Sequence, residues 1–230
     1  MVLVNSSPVT LRVKFFKKGR LQYISHLDLV RTMMKIIVRA KLPLWYTEGF
    51  NPKPKIVFAA PLSIGTESEC EFMDIRLTER LSETEAMLSL NSNMTEEMQI
   101  TEAYYPDTKL TDLRWLGYRI SLHTNFAQNL SKSIKELLSE SELRVMKKGK
   151  SGIREVNIKP LIKEFSVSDI LGDTIIDCIL LSDSADFLNP ELIVKLIKER
   201  LNVLADENLD SEWYSIVRNS AYRADMSPFR

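Results

Sequence analysis

Residues 25–62 read SHLDLVRTMMKIIVRAKLPLWYTEGFNPKPKIVFAAPL. Ser25 has an acid three residues on, Asp28, the capping signature of a helix start. Leu27, Val30, Met34, Ile37 and Val38 recur at three- and four-residue steps, with Met33 widening the stripe, so the helix is expected to bury that face. Arg31, Lys35 and Arg39 stack at four-residue steps on the other side. Pro43 ends the helix, because the residue before a proline avoids the α region. Leu44 to Thr47 reads as a short extended piece. Gly49, Pro52 and Pro54 then exclude regular structure. Ile56 to Ala60 is an unbroken apolar run, suited to a central strand buried on both faces.

Outward from this stretch the pattern continues on both sides. Upstream, Leu11, Val13 and Phe15 alternate with polar or outward positions, the period of a half-buried strand. Downstream, Met73, Ile75 and Leu77 alternate in the same way. Ser82 with Glu85 caps a second helix, and Met98 to Tyr105 forms a further strand. Strand, helix, strand, strand, helix, strand is the ferredoxin-like order.

The second half repeats it. Tyr118, Ile120 and Leu122 mark a strand, and Asn125 with Gln128 caps a helix over 127–138. A cationic loop at 147–152 joins two short strands in an added hairpin. Strands at 161–167 and 175–181 follow, then a helix opened by Asn189-Pro190 and a closing strand at 213–217. The tail to Arg230 is expected to be partly loose. The expected fold class is therefore α+β: two ferredoxin-like (βαββαβ) halves, residues 1–110 and 111–230, the second with an extra β-hairpin.

The totals are those of a globular chain, with 44% hydrophobic and 27% charged residues. Basic and acidic residues balance at 31 each, so the chain as a whole implies no polyanionic partner. Their placement is uneven. Residues 1–60 hold eleven cations against Asp28 and Glu48 alone, and the following stretch reverses the sign with Glu67, Glu69, Glu71 and Asp74. That asymmetry points to one basic and one acidic surface. Two cysteines, Cys70 and Cys178, make neither a disulfide framework nor a cysteine-rich metal site, which fits a reducing cytoplasm. No apolar run approaches the ~18 residues of a membrane span. The residue types present imply no metal and no cofactor: there is no cysteine trio, no glycine-rich dinucleotide loop and no phosphate-loop signature.

Three features carry candidate chemistry. His26, in the first helical turn, could act as base or acceptor; it could equally be a packed or solvated ring. Arg31, Lys35 and Arg39, with Lys53 and Lys55, could meet phosphates, although most such rows are solvated helix faces. Thr47, Gly49, Phe50 and Asn51 form a turn whose backbone can approach a ligand and whose aromatic ring can stack on a base; the competing reading makes Phe50 a plug into the core.

The motifs FFKKGR at 15–20, SHLDLVR at 25–31 and TEGFNPKP at 47–54 resemble those of a bacterial family, the radical SAM-linked proteins (domain of unknown function 2344). PLSIG at 61–65 and SECEFMD at 68–74 are similar to the same family, and the resemblance is specific over residues 11–78. Where the family often has histidine this chain has Lys53, and where it often has aspartate the chain has Asn157. The resemblance implies a domain fused to, or encoded beside, radical SAM enzymes with a cobalamin-type domain. Lacking cluster cysteines, this chain would be the accessory half.

The expected function is a cytoplasmic, non-catalytic RNA-binding or substrate-presenting accessory protein for a separate radical SAM enzyme. Arg31, Lys35, Arg39, Lys53 and Lys55 would meet phosphates, and Ser25, His26, Asp28, Thr47, Gly49, Phe50 and Asn51 would contact a ligand or the partner. Two alternatives stand beside it: a metal-independent ribonuclease using His26, and a pure protein-interaction module.

Overall fold

Alternation along Val9–Lys17 makes strand β1, with Leu11, Val13 and Phe15 fully buried. The computed structural model describes residues 7–125, 129–149, 152–183, 186–205 and 211–230. The chain divides into two units, Met1–Leu113 with Phe229–Arg230, and Arg114–Pro228. Both are α+β.

In the first unit β1 is followed by helix α1 (His26–Arg39), β2 (Ile56–Phe58), β3 (Thr66–Leu77), helix α2 (Glu83–Asn91) and β4 (Met98–Tyr104). The strands lie in the order β4-β1-β3-β2, and every pairing is antiparallel. Leu11, Val13 and Phe15 of β1 join Met73, Ile75 and Leu77 of β3 in one core with the buried residues of the two helices.

The buried face of α1 differs from the expected one. Leu29, Met33, Ile36 and Ile37 point inward, whereas Leu27 and Val38 are 57% and 48% exposed. The helix carries two overlapping apolar stripes. At ~100° per residue the stripe through Leu29, Met33, Ile36 and Ala40 lies more squarely opposite Arg31, Lys35 and Arg39, so burying it keeps those cations in water.

β2 also differs. It is three residues long, pairs with β3 alone and leaves Val57 exposed, so it is an edge strand in this unit, not a central one. Prolines at 54 and 61 bracket it, as they commonly do at edges. Leu44 and Tyr46 make isolated bridges, to Leu77 and Pro54, in place of a strand.

The opposite face of this sheet holds a buried cation. Arg12 alternates away from the apolar core yet is fully buried. Its Nε and Nη2 donate to the two carboxylate oxygens of Asp74 at 2.7 and 3.0 Å. Nη1 donates to Thr108 Oγ1 at 2.8 Å and to the Arg230 carbonyl at 3.2 Å. The Phe229 ring lies 5.0 Å from the guanidinium and meets Phe72 edge-on. The tail is therefore packed where it reaches this unit, because Phe229 covers apolar surface and Arg230 completes the coordination of Arg12.

The second unit runs β5 (Trp115–His123), α3 (Leu130–Ser139), β6 (Arg144–Gly149), β7 (Gly152–Asn157), β8 (Ile162–Ile170), β9 (Asp173–Leu181), α4 (Glu191–Leu201) and β10 (Trp213–Tyr222). Its four-stranded sheet has the order β10-β5-β9-β8, again antiparallel, and β6 with β7 forms a separate two-stranded ribbon. Last strand, first, third, second is the order in both units. The proposed cap at Gln128 and the first residues of that helix lie outside the described residues, as do Lys150 and Ser151 of the cationic loop. No described helix is long and apolar enough to cross a membrane.

Candidate functional site

The site begins at the start of α1. Ser25 Oγ accepts from the Asp28 backbone N–H at 3.1 Å and donates to Asp28 Oδ2 at 2.7 Å. Arg31 Nη1 donates to the other oxygen, Oδ1, at 3.2 Å. The hydrogen bond from Ser25, and after it the one from Arg31, hold the Asp28 carboxyl below its ordinary pKa. The first cation of the row is thus tied to the cap. Lys35 and Arg39 are exposed and have no ion pair among the described residues.

Beyond the helix the chain closes a loop over residues 45–55. Thr47 donates its backbone N–H to the Lys53 carbonyl at 2.9 Å, and Lys53 N–H returns to Thr47 Oγ1 at 3.1 Å. Trp45 N–H bonds the Arg76 carbonyl at 2.9 Å, which fastens the base of the loop beside β3. Lys55 Nζ sits 5.4 Å over the Trp45 ring. At the tip Gly49 takes φ +119°, a region that favours glycine, with open space where a Cβ would be. Phe50 follows it, 112% exposed. It is not a plug into the core: its whole ring is in water, with Asn51 and Lys53 exposed beside it in sequence. An aromatic ring, an amide and a cation on a braced loop can stack on a planar group and bind its charge.

His26 lies elsewhere. Its ring meets Phe58 edge-on at 5.3 Å, and Phe58 meets Phe15 at 6.3 Å. The His26 ring has no hydrogen bond or ion pair among the described residues. The loop enters β2 at Lys55, whereas His26 touches its far end at Phe58. At ~3.3 Å per residue they attach to opposite ends of that strand. The structure therefore groups Thr47, Gly49, Phe50, Asn51, Lys53 and Lys55 on one loop, and Ser25, His26, Asp28 and Arg31 at the start of α1.

The basic surface is smaller than the charge count implies. Arg12 and Lys17 are buried. Lys14, Arg20 and Arg31 pair with Glu102, Glu97 and Asp28. Lys18, Lys35, Arg39, Lys41, Lys53 and Lys55 remain without an ion pair among the described residues. No group of three or more potential metal ligands occurs among the described residues. Sequence reasoning missed His123, whose Nδ1 lies 2.7 Å from Asp173 Oδ1 and whose ring stacks on Trp213 at 5.3 Å. Only strand pairing brings these three together, and no local pattern announces it.

A family model described as "Uncharacterized protein conserved in bacteria (DUF2344)" matches residues 10–190. No curated protein matches the chain. Among solved structures, a chain of a Cbf5-Nop10-Gar1 complex is similar at 12% identity over 92% of this chain, with a TM-score of 0.48; this chain spans 48% of it, about half its length. A protein of unknown function from Galdieria sulphuraria shares 10% identity over 92% of this chain and 99% of its own, with a TM-score of 0.26. DyPB from Rhodococcus jostii RHA1 shares 11% over 95% and 94%, with a TM-score of 0.22.

Proposed function

Because the chain belongs to this bacterial family, whose description names no activity, we propose a role from its surface chemistry: a non-catalytic RNA-binding accessory protein. The observation that carries this reading is the loop over residues 45–55. It presents Phe50 wholly in water beside the exposed Lys53, and Lys35 and Arg39 stand uncompensated on the preceding helix. Cations neutralise backbone phosphates and a free ring stacks on a base of any identity. In this reading each unit is ferredoxin-like, a finer assignment supported by their shared strand order, and the partner is a separately encoded radical SAM enzyme, supported by the resemblance of the motifs at 15–20, 25–31 and 47–54.

His26 gives the ribonuclease alternative little support, since its ring packs on Phe58 and no carboxylate among the described residues orients it. The test is RNA affinity across a salt series for the full chain and for the triple variant Lys35→Gln, Arg39→Gln, Lys53→Gln. For each phosphate that is no longer neutralised, the logarithmic salt slope should flatten by about 0.7 on a single strand. Equal affinity and slope in the two proteins would sink the proposal.

A further inference from the structure

The ribbon of β6 and β7 carries a feature that its own stability does not explain. Lys147 stands directly across the ladder from Arg154. Like charges in that position destabilise a strand pair. The acids nearby are already engaged: Glu142 and Glu155 accept from Arg144 at 2.9 and 2.8 Å. Arg154 is exposed and has no ion pair among the described residues. Lys147 Nζ lies 5.0 Å over the Phe187 ring and 3.5 Å from its carbonyl. The two cations line a groove of about 320 Å³ with Asn157, Asp186 and Leu188. Asp186 is the one carboxylate lining it and pairs with neither cation, so the groove keeps an excess of positive charge. Phe187, beside it, is 55% exposed.

We propose that this groove binds a backbone phosphate of single-stranded RNA. Lys147 and Arg154 share the anion, which removes their mutual repulsion, and Phe187 stacks a neighbouring base. The proposal shares its ligand class with the reading above and uses none of the same residues. A free phosphate offers the same anion, and the experiment separates the two sources.

The experiment is fluorescence anisotropy of a labelled single-stranded poly(A) oligonucleotide with the full chain, over a salt series. Lys147→Gln with Arg154→Gln should weaken binding about tenfold and reduce the salt slope by about 0.7, the value for one phosphate on a single strand. Phe187→Ala should weaken it about fivefold or more with the slope unchanged, because stacking releases no counterions. In the absence of RNA Arg154→Gln alone should melt no lower than the parent, because it removes a repulsion and Arg154 has no ion pair among the described residues; a lower Tm would mean that Arg154 holds the ribbon together and would overturn the proposal. Unchanged affinity and slope in the double variant also overturn it. If that occurs while the Lys35, Arg39 and Lys53 variant loses binding, the α1 and loop reading stands alone; the reverse pattern leaves the groove standing alone. If inorganic phosphate raises the Tm of the parent but not of the double variant, and RNA affinity is equal in both, the groove takes free phosphate and the RNA assignment fails.

Discussion

Arg12 is where the residue scale departs most from a pattern reading. Its place in the alternation of β1 puts it outside the apolar core, and a cation there reads as surface charge. The partners that bury it, Asp74, Thr108 and Arg230, are distant in sequence and leave no local trace. A buried ion pair is worth little against an apolar substitute, but removing one member strands the other. Asp74→Ala should therefore lower unfolding stability by about 3–5 kcal/mol, read from the midpoint of a urea titration. Arg12→Lys, with Asp74 kept, should lose less than Asp74→Ala but still be destabilised, because an ammonium lacks the planar fork that meets the two Asp74 oxygens. A change within experimental error for Asp74→Ala would show that the pair is not the anchor of this face. Phe50 is the contrary case: its neighbours Gly49 and Pro52 marked a loop correctly, yet whether the ring turned in or out depended on tertiary surroundings that the sequence does not display.

At the scale of elements, the ends of α1 were legible and its rotation was not. Ser25, Asp28 and Pro43 act within a few residues of themselves, so the helix starts and stops where they say. Which stripe turns inward depends on β1 and β3 across the core, and Met33, Met34, Ile37 and Val38 allow more than one answer. The observed phase predicts a contrast. Leu29→Ala should cost about 2–5 kcal/mol, and Leu27→Ala, two residues away and more than half exposed, within about 0.5 kcal/mol of nothing. Thermal melts of the two variants would check it, and comparable losses would return the buried face to Leu27. The edge position of β2 is hidden for a related reason: an apolar run of this length reads the same at the centre of a sheet and at its edge. The β6–β7 hairpin was legible because its signal, a polar glycine-containing turn between two short alternating runs, is again local.

Over the whole chain, element order was the most legible property. The succession of strands and helices came from periods and caps spread along 230 residues, while the burial of the tail did not, since a short polar segment carries no period to read. Each unit also holds a tyrosine whose ionisation is opposed. Burial, ahead of the net effect of nearby charges, pushes Tyr104 up to about 12. Burial, and then the Glu191 carboxylate that accepts from its hydroxyl, pushes Tyr214 up to about 12. Burial does the same to the Cys178 thiol, also to about 12. In the unfolded chain tyrosine ionises near ~10, so the folded state holds these protons longer. The associated stability is fully present below that pH and is lost as pH rises toward 12. Phenolate absorbance should show at least two of the seven tyrosines ionising late, together with loss of secondary structure. Ordinary titration of all seven in the folded protein would contradict this.

Phe229 and Arg230 belong to the first unit although more than a hundred residues of the second unit are made before them. During synthesis, then, the Arg12 guanidinium leaves the ribosome long before the carbonyl and the ring that complete its surroundings exist. The first unit is completed only after the second has been made. A stall anywhere in the second half leaves it with Arg12 only partly satisfied and Phe72 uncovered, a nascent species that chaperones and proteases can recognise as incomplete.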